Sequence, residues 1–353
     1  MAWRVWSVDT RTGQKQSVIP VTGFTWTCAL NGGSGGTASA VLNAATSKGL
    51  DWWGLLDVVR RTLVIEWEGS AVYAGVIWSW DYDYDTKRLT VNHSDLWSLL
   101  AKRMLFTTYT DLMKKKFTIA SASLWDMVRG VIEAGTAGAY SLPIFMQGTT
   151  GGTRSRTWYG YELPMVADEL ETLMDADGGP DIAMVPRWST DGTKLEWLIY
   201  NGVEVSGLIP VNLSANHKMI HGLKIKRDAT EVATVVIGTG EGSEQDLEYQ
   251  VASIGGSPYP HLVKDASFPK EKDGNMLYDR TWAEADVASG PVEQWSASMN
   301  ASDAFRVTMV KLGRQFDLYS HGDPMIVDGH HVMRVIQYSG DLSDTVKLEF
   351  QDF

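Results

Sequence analysis

At 353 residues, 44% apolar and 21% charged, the chain has the composition of a soluble globular protein of two or three domains, long enough to bury its cores without disulfides. A single cysteine, Cys28, excludes an intramolecular bridge, a CxxC redox pair and a cysteine zinc cluster. With 31 basic against 43 acidic residues the net charge is −12, and residues 211–353 alone carry 13 against 21, the wrong sign for a protein that grips phosphates.

The start, Met1-Ala2-Trp3-Arg4-Val5-Trp6, has neither a basic head nor an apolar core, so synthesis and folding in the cytoplasm are expected. No apolar run approaches the roughly 18 residues that span a bilayer, so no membrane anchor is expected. Residues 3–8, 24–30, 62–68, 71–85 and 88–93 read as strands of one antiparallel sheet. In 62–68, Leu63, Ile65 and Trp67 alternate with Val64 and Glu66. The 71–85 run places Val72, Ala74, Val76, Trp78, Trp80, Tyr82 and Tyr84 on one face and Ser79, Asp81, Asp83 and Asp85 on the other. Such a sheet is expected to curl into a small barrel.

Helical spacing then takes over. Leu96, Leu99, Leu100 and Arg103 follow a capping Ser94-Asp95. Ser123 is the expected cap of a second helix carrying Leu124, Met127, Val128, Val131 and Ile132. A third runs from Pro164 through Val166, Leu170, Leu173 and Met174. Asp191-Gly192 predicts a hairpin between 181–189 and 194–200, with Leu195, Trp197 and Ile199 inward. Beyond residue 215, HGLKIKRD, ATVVIGTG, PVEQWSASM, FRVTMVKL, HHVMRVIQY and TVKLEF read as strands, interrupted by one helix near 277–289. The expected fold class is mainly β with an α/β module. A barrel-like domain over 1–95 and another over 211–353, with one helical insertion, flank a small α/β domain over 96–210.

Several motifs invite chemistry and fail on context. Gly32-Gly33-Ser34-Gly35-Gly36 matches the serine-hydrolase elbow, which needs a helix after the serine, whereas residues 37–42 alternate like a strand. A β-hairpin tip is expected there. Asp81-Tyr82-Asp83-Tyr84-Asp85 begins like a calcium loop, but Thr86 and Asn92 stand where the loop needs glycine and a bidentate glutamate. His217, His221, His330 and His331 do not share a zinc spacing, because His221 opens a strand. Gly238-Thr239-Gly240-Glu241-Gly242-Ser243 lacks the third glycine of a dinucleotide fingerprint and the lysine of a P-loop. Lys114-Lys115-Lys116 reads as a solvated edge beside a strand. No catalytic residue, metal or cofactor is expected, although a glycosidase carboxylate pair is recognised only by its separation in space. The unusual number is fifteen tryptophans, a surplus that goes to cores, to subunit interfaces or to sugar-stacking platforms.

Two blocks carry a family resemblance. One is AVYAGVIWSWDYDYDTKRLTVNHSDLWSLLAKRM (71–104), where a strand with a mid-strand glycine, a polar hairpin and a returning strand lead into a helix ending in Lys-Arg. The other is HGDPMIVDGHHVMRVIQYSGDLSDTVKLEF (321–350), a Gly-Asp entry followed by short strands. In these blocks and in element order the chain resembles the tail-hub, or baseplate-hub, proteins of long-tailed bacteriophages, above all minor tail proteins of phages infecting actinobacteria. The resemblance implies a homotrimer whose six barrels form a ring in the virion tail tip. That ring joins the tail tube or distal tail protein to distal tip or fibre proteins; the tape-measure protein is a further expected partner, and DNA passes through without being bound specifically. It also implies a structural, non-enzymatic role. Some hubs continue into a peptidoglycan-cleaving domain, and no lytic role is expected of a chain that stops at Phe353. Two other readings stand beside it: a carbohydrate-binding protein or glycosidase with tryptophan platforms, and a hexameric distal tail protein.

Two groups of residues are the expected working surfaces. Trp52 and Trp53 are adjacent rings that an extended segment would point to opposite faces, so they are expected to anchor another subunit; a short helical turn with both rings partly in the barrel is the alternative. Asp81, Asp83 and Asp85 are expected to face the lumen of the ring, where carboxylates would repel passing phosphates.

Overall fold

The computed structural model describes residues 3–43, 49–204, 207–216, 218–243, 246–269, 271–302 and 307–352. The fold is mainly β, with the α/β module in the middle of the chain. The first seven-stranded sheet is antiparallel throughout, in the order Lys15–Val18, Trp3–Asp9, Arg61–Trp67, Ser70–Asp83, Arg88–Ser94, Gly35–Val41, Gly23–Phe24. The last third builds a second sheet in the order Leu208–Asn212, Gln315–Ser320, Gly329–Gly340, Thr345–Asp352, Val292–Asn300, His221–Asp228. Only its Leu208–Asn212 strand is parallel to its neighbour. Neither order closes into a ring of hydrogen bonds among the described residues.

The segment expected as a single strand at 24–30 is divided between the sheets. Gly23–Phe24 stays in the first, while Trp26–Ala29 pairs with residues 337–340 of the second. Alternation alone fits either partner. Gly340 makes room for the observed pairing, since a side chain there would stand 2.8 Å from the Trp26 ring. The crossing strand ties the two sheets to one core, where Val5, Leu63, Ile65 and Trp67 meet Trp295, Phe316, Val335, Tyr338 and Phe350.

The first sheet is buried on its other face too. Val8, Val64, Ala74 and Val76 point into a second core with the helices Leu124–Gly135 and Val166–Met174 and the inward Leu195, Trp197 and Ile199. Ser123 Oγ accepts from Asp126 N–H at 3.0 Å, the cap expected from the sequence. The hairpin around Asp191-Gly192 is present, as Ile182–Trp188 pairs with Leu195–Asn201. The helix expected after Ser94-Asp95 is a single turn, Trp97–Leu100.

The long Ser70–Asp83 strand corrects the one-face reading. Its register shifts against both neighbours, at Ile65/Glu66 and at Ile77/Ser79. Each extra residue moves the following side chains to the opposite face. Val72 therefore lies in the first core, Ala74, Val76 and Trp78 in or against the second, and Trp80 against the first again. FRVTMVKL is corrected as well: among its described residues Val307–Met309 is a turn of 3-10 helix, with Val307 and Val310 buried three residues apart.

Residues 229–291 leave and rejoin the second sheet at one paired position, Asp228 opposite Val292. They form a separate three-stranded sheet under the helix Gly274–Ala288, with a small alanine-rich core. Arg280 binds Asp175 at 2.8 Å and Arg154 pairs with Asp279, so two ion pairs hold this insertion to the α/β module.

Candidate functional site

Trp52–Leu55 is a helical turn, capped by Asp51 Oδ1, which accepts from Gly54 N–H at 3.1 Å. The turn separates the two rings: Trp52 packs against the first core beside Leu56, Leu63 and Leu89. Trp53 is 76% exposed, with its ring edge-on to Trp80 at 5.0 Å. The expected pair of anchors is thus one core residue and one surface residue. Trp52→Ala is expected to lower unfolding free energy by about 2–4 kcal/mol, and Trp53→Ala to change it by no more than about 0.5 kcal/mol. Urea titration of the two single variants checks this, and equal losses would contradict the division.

The fifteen tryptophans answer a wider question. Trp26, Trp158, Trp197 and Trp295 are among the largest fully buried side chains, and among the described residues Trp53 is the one tryptophan more than a third exposed. Trp6 and Trp188 sandwich Lys15, whose Nζ lies 4.5 and 3.7 Å from their ring centres. The surplus is used mainly inside the chain. A sugar platform needs exposed ring faces, and one such ring is a poor one.

Asp81 and Asp83 lie at the exposed end of the Ser70–Asp83 strand, whereas Asp85 belongs to the turn beyond it. Asp83 Oδ1 accepts from the N–H groups of Asp85 and Thr86, both at 2.9 Å. The Thr86 N–H bond is the main cause of a carboxyl pKa held below the usual range. Lys87, with φ +58°, completes the turn and stacks over Tyr84 at 3.4 Å. Residues 70–76 pair with the Arg61–Trp67 strand, but among the described residues no strand pairs with the outer edge of 79–83. This edge alternates Asp81 and Asp83 with Trp80 and Tyr82.

The opposite charge sits on a second edge. His221–Asp228 is the last strand of the C-terminal sheet, with one pairing neighbour among the described residues and most of its own residues exposed. It carries Lys224, Lys226 and Arg227; Lys226 binds Asp228 at 2.8 Å, while Lys224 and Arg227 make no ion pair among the described residues. A cavity of about 1070 Å³ opens beside it, lined in part by Leu223, Ile225, Trp295 and Met325. The loop over that cavity is pinned. His321 Nδ1 lies 2.8 Å from Asp328, Asp328 accepts from Gly322 N–H at 2.6 Å, and His331 Nε2 donates to Val327 O at 2.7 Å. Fixed in this way, Met325 and Val327 are 87% and 79% exposed.

Ser34 shows no access. It is buried, its Oγ accepts from Ala29 N–H at 2.9 Å, and its hydroxyl also bonds the Asp95 carboxylate. Gly35–Val41 follows as the expected strand. His330 is held by Asp317, with both carboxylate oxygens 2.9 Å from Nδ1. Lys115 Nζ donates to Thr108 O at 2.8 Å, and residues 238–243 include the end of the Val235–Thr239 strand. His217 lies outside the described residues.

Sequence reasoning missed a buried polar group beneath the first sheet. Tyr73 Oη lies 2.9 Å from His93 Nδ1, and Phe24 stacks on the imidazole at 4.7 Å. The mid-strand glycine explains itself here: a side chain at Gly75 would stand 2.4 Å from the Tyr73 hydroxyl and 2.6 Å from His93 Nδ1. Burial keeps His93 neutral, with its pKa pushed down to about 3, and pushes the Asp95 carboxyl up to about 6 against the bonds it accepts. Trp97 N–H donates to Asp95 Oδ1 at 3.1 Å, so this carboxylate fastens the Ser34 loop to the start of the α/β module.

No protein-family model and no curated protein sequence matches the chain. Solved structures do. The 43 kDa tail protein of prophage MuSo2 from Shewanella oneidensis superposes with a TM-score of 0.63 at 8% identity, over 99% of this chain and 98% of that one. A tail protein from Neisseria meningitidis MC58 gives 0.58 at 11% identity, over 100% and 97%. Prophage tail protein gp18 from Listeria monocytogenes EGD-e gives 0.54 at 8% identity, over 99% and 94%. The chain has the fold of these phage tail proteins from end to end. None of the three comes from an actinobacterium, the host class that the sequence resemblance implies.

Proposed function

We propose that the protein is a structural part of a phage tail: a homotrimeric hub at the tail tip, assembled in the host cytoplasm. It joins the tail tube or distal tail protein to distal tip or fibre proteins. The observation that carries this reading is likeness to tail proteins over the whole of both chains, with no large part of either left over. Two seven-stranded sheets linked by the Trp26–Ala29 strand give each copy two sheet units, as three copies need to present six to a tail tube. The net charge of −12 suits a ring through which DNA passes without adhering, with the tape-measure protein as a further partner. The role is non-enzymatic. Ser34 is spent on structural bonds and the tryptophans fill cores, so neither the hydrolase motif nor the sugar-platform reading gains support.

Sedimentation equilibrium of the purified chain tests the hub. The expected species has three times the 39.0 kDa of one chain. A hexamer would favour the distal tail protein instead. A monomer at every concentration that binds or cleaves a polysaccharide would support the carbohydrate reading and end this one.

A further inference from the structure

We infer that copies of this chain join head to tail by pairing the outer edge of residues 79–83 on one copy with the His221–Asp228 edge on the next. The inference rests on the oligomeric reading above and names the surfaces that make it.

Three observations carry it. Both segments are strand edges with no pairing partner on the outer side among the described residues. A strand buried on neither face and open along one edge presents a row of backbone donors and acceptors that a second strand satisfies. The charges are opposite, and their spacing matches. Asp81 and Asp83 share one strand face, Lys224 and Lys226 share another, and both pairs are two residues apart. On the reverse faces, Trp80 and Tyr82 come opposite Ile225 and Arg227, an arrangement that covers Ile225 and sets a guanidinium near aromatic rings. The other terminal strands of the two large sheets, Lys15–Val18, Gly23–Phe24, Leu208–Asn212 and Trp26–Ala29, carry no acidic residue and offer the lysines no such match. The two joined surfaces differ, so the contact is not self-complementary and propagates around a ring instead of stopping at a dimer.

The competing account of the lysines is that they only keep an exposed edge from pairing. The competing account of the aspartates is a lumen-facing position, which makes self-association indifferent to their charge. Charge swaps in the full-length chain decide between these. Association is measured by analytical ultracentrifugation, with circular dichroism and melting curves confirming the fold of each variant. Asp81→Lys with Asp83→Lys is expected to weaken self-association at least about tenfold, and Lys224→Glu with Lys226→Glu to do the same. All four substitutions together restore it to within about threefold of wild type, because every copy then carries both reversed surfaces. Folded two-site variants that associate like wild type, or a four-site variant that stays dissociated, would overturn the pairing. Variants that all reach one closed oligomer would leave the hub standing without this contact. A wild-type chain that never associates would remove both.

Discussion

Replacing Trp26 with alanine is expected to lower the unfolding free energy by about 3–5 kcal/mol, a large part of what holds a chain of this size together. The indole is 1% exposed, on the strand that leaves the first sheet for the second. Its ring centre lies 6.2 Å from Trp3, 6.5 Å from Tyr73 and 5.8 Å from Tyr338, so it touches aromatic rings of both sheets. Strand pairing and the Gly340 recess hold its surroundings in place, and the cavity left by alanine cannot collapse easily. Trp26→Phe, which keeps most of the volume, is expected to lose about 1–2 kcal/mol. Urea unfolding followed by circular dichroism reads both values. A loss below about 1 kcal/mol for alanine would mean that the two sheets do not share this core.

The second large effect is a pair of opposite pH dependences. His93 has a folded pKa near 3, below its ordinary value, so its contribution is complete above about pH 6.5 and is lost as pH falls from there. Asp95 has a folded pKa near 6, above its ordinary value, so the folded state gains relative to the unfolded one as pH falls from 6 toward about 4. At pH 4.5 the histidine costs about 3 kcal/mol and the aspartate returns about 2 kcal/mol. Between pH 6.5 and 4.5 these two groups together are therefore expected to change wild-type stability by less than about 1 kcal/mol. Asp95→Asn keeps an acceptor for the Trp97 N–H and leaves the histidine uncompensated, so it loses about 2 kcal/mol over that window. His93→Gln keeps an acceptor for Tyr73 and gains about 2 kcal/mol over the same window. Denaturant midpoints at several pH values give the slopes, and parallel profiles for the three proteins would contradict the assignment.

What the sequence made legible follows from which forces are local. Ser123 as a cap, the turn at Asp191-Gly192 and the spacing of Leu124, Val128 and Val131 involve neighbours in the chain, and all three appear as expected. Pairing between distant strands was less legible. Trp26 and Cys28 alternate equally well for either sheet, and the recess at Gly340 that admits the Trp26 ring lies more than 300 residues away. Trp78 and Trp80 read as one face because a register shift leaves no mark in the alternation. Gln315–Ser320 is a strand with Phe316 and Leu318 fully buried, although its alternation is short and lies beside the more apolar FRVTMVKL run. Among the candidate site residues, adjacency suggested a joint role for Trp52 and Trp53, while one helical turn gives them different environments. The cations of HGLKIKRD were visible in the sequence. That they lie on an open sheet edge depends on which strands fail to pair, and periodicity does not report that.

The place proposed for this chain is the tail of a virion. Gold-labelled antibody fragments raised against the purified chain, applied to intact particles and viewed by electron microscopy, test it most directly. Gold is expected at the end of the tail far from the head, with the shaft and head clear. Gold spread along the shaft or over the head, or particles that lack the chain altogether, would contradict it.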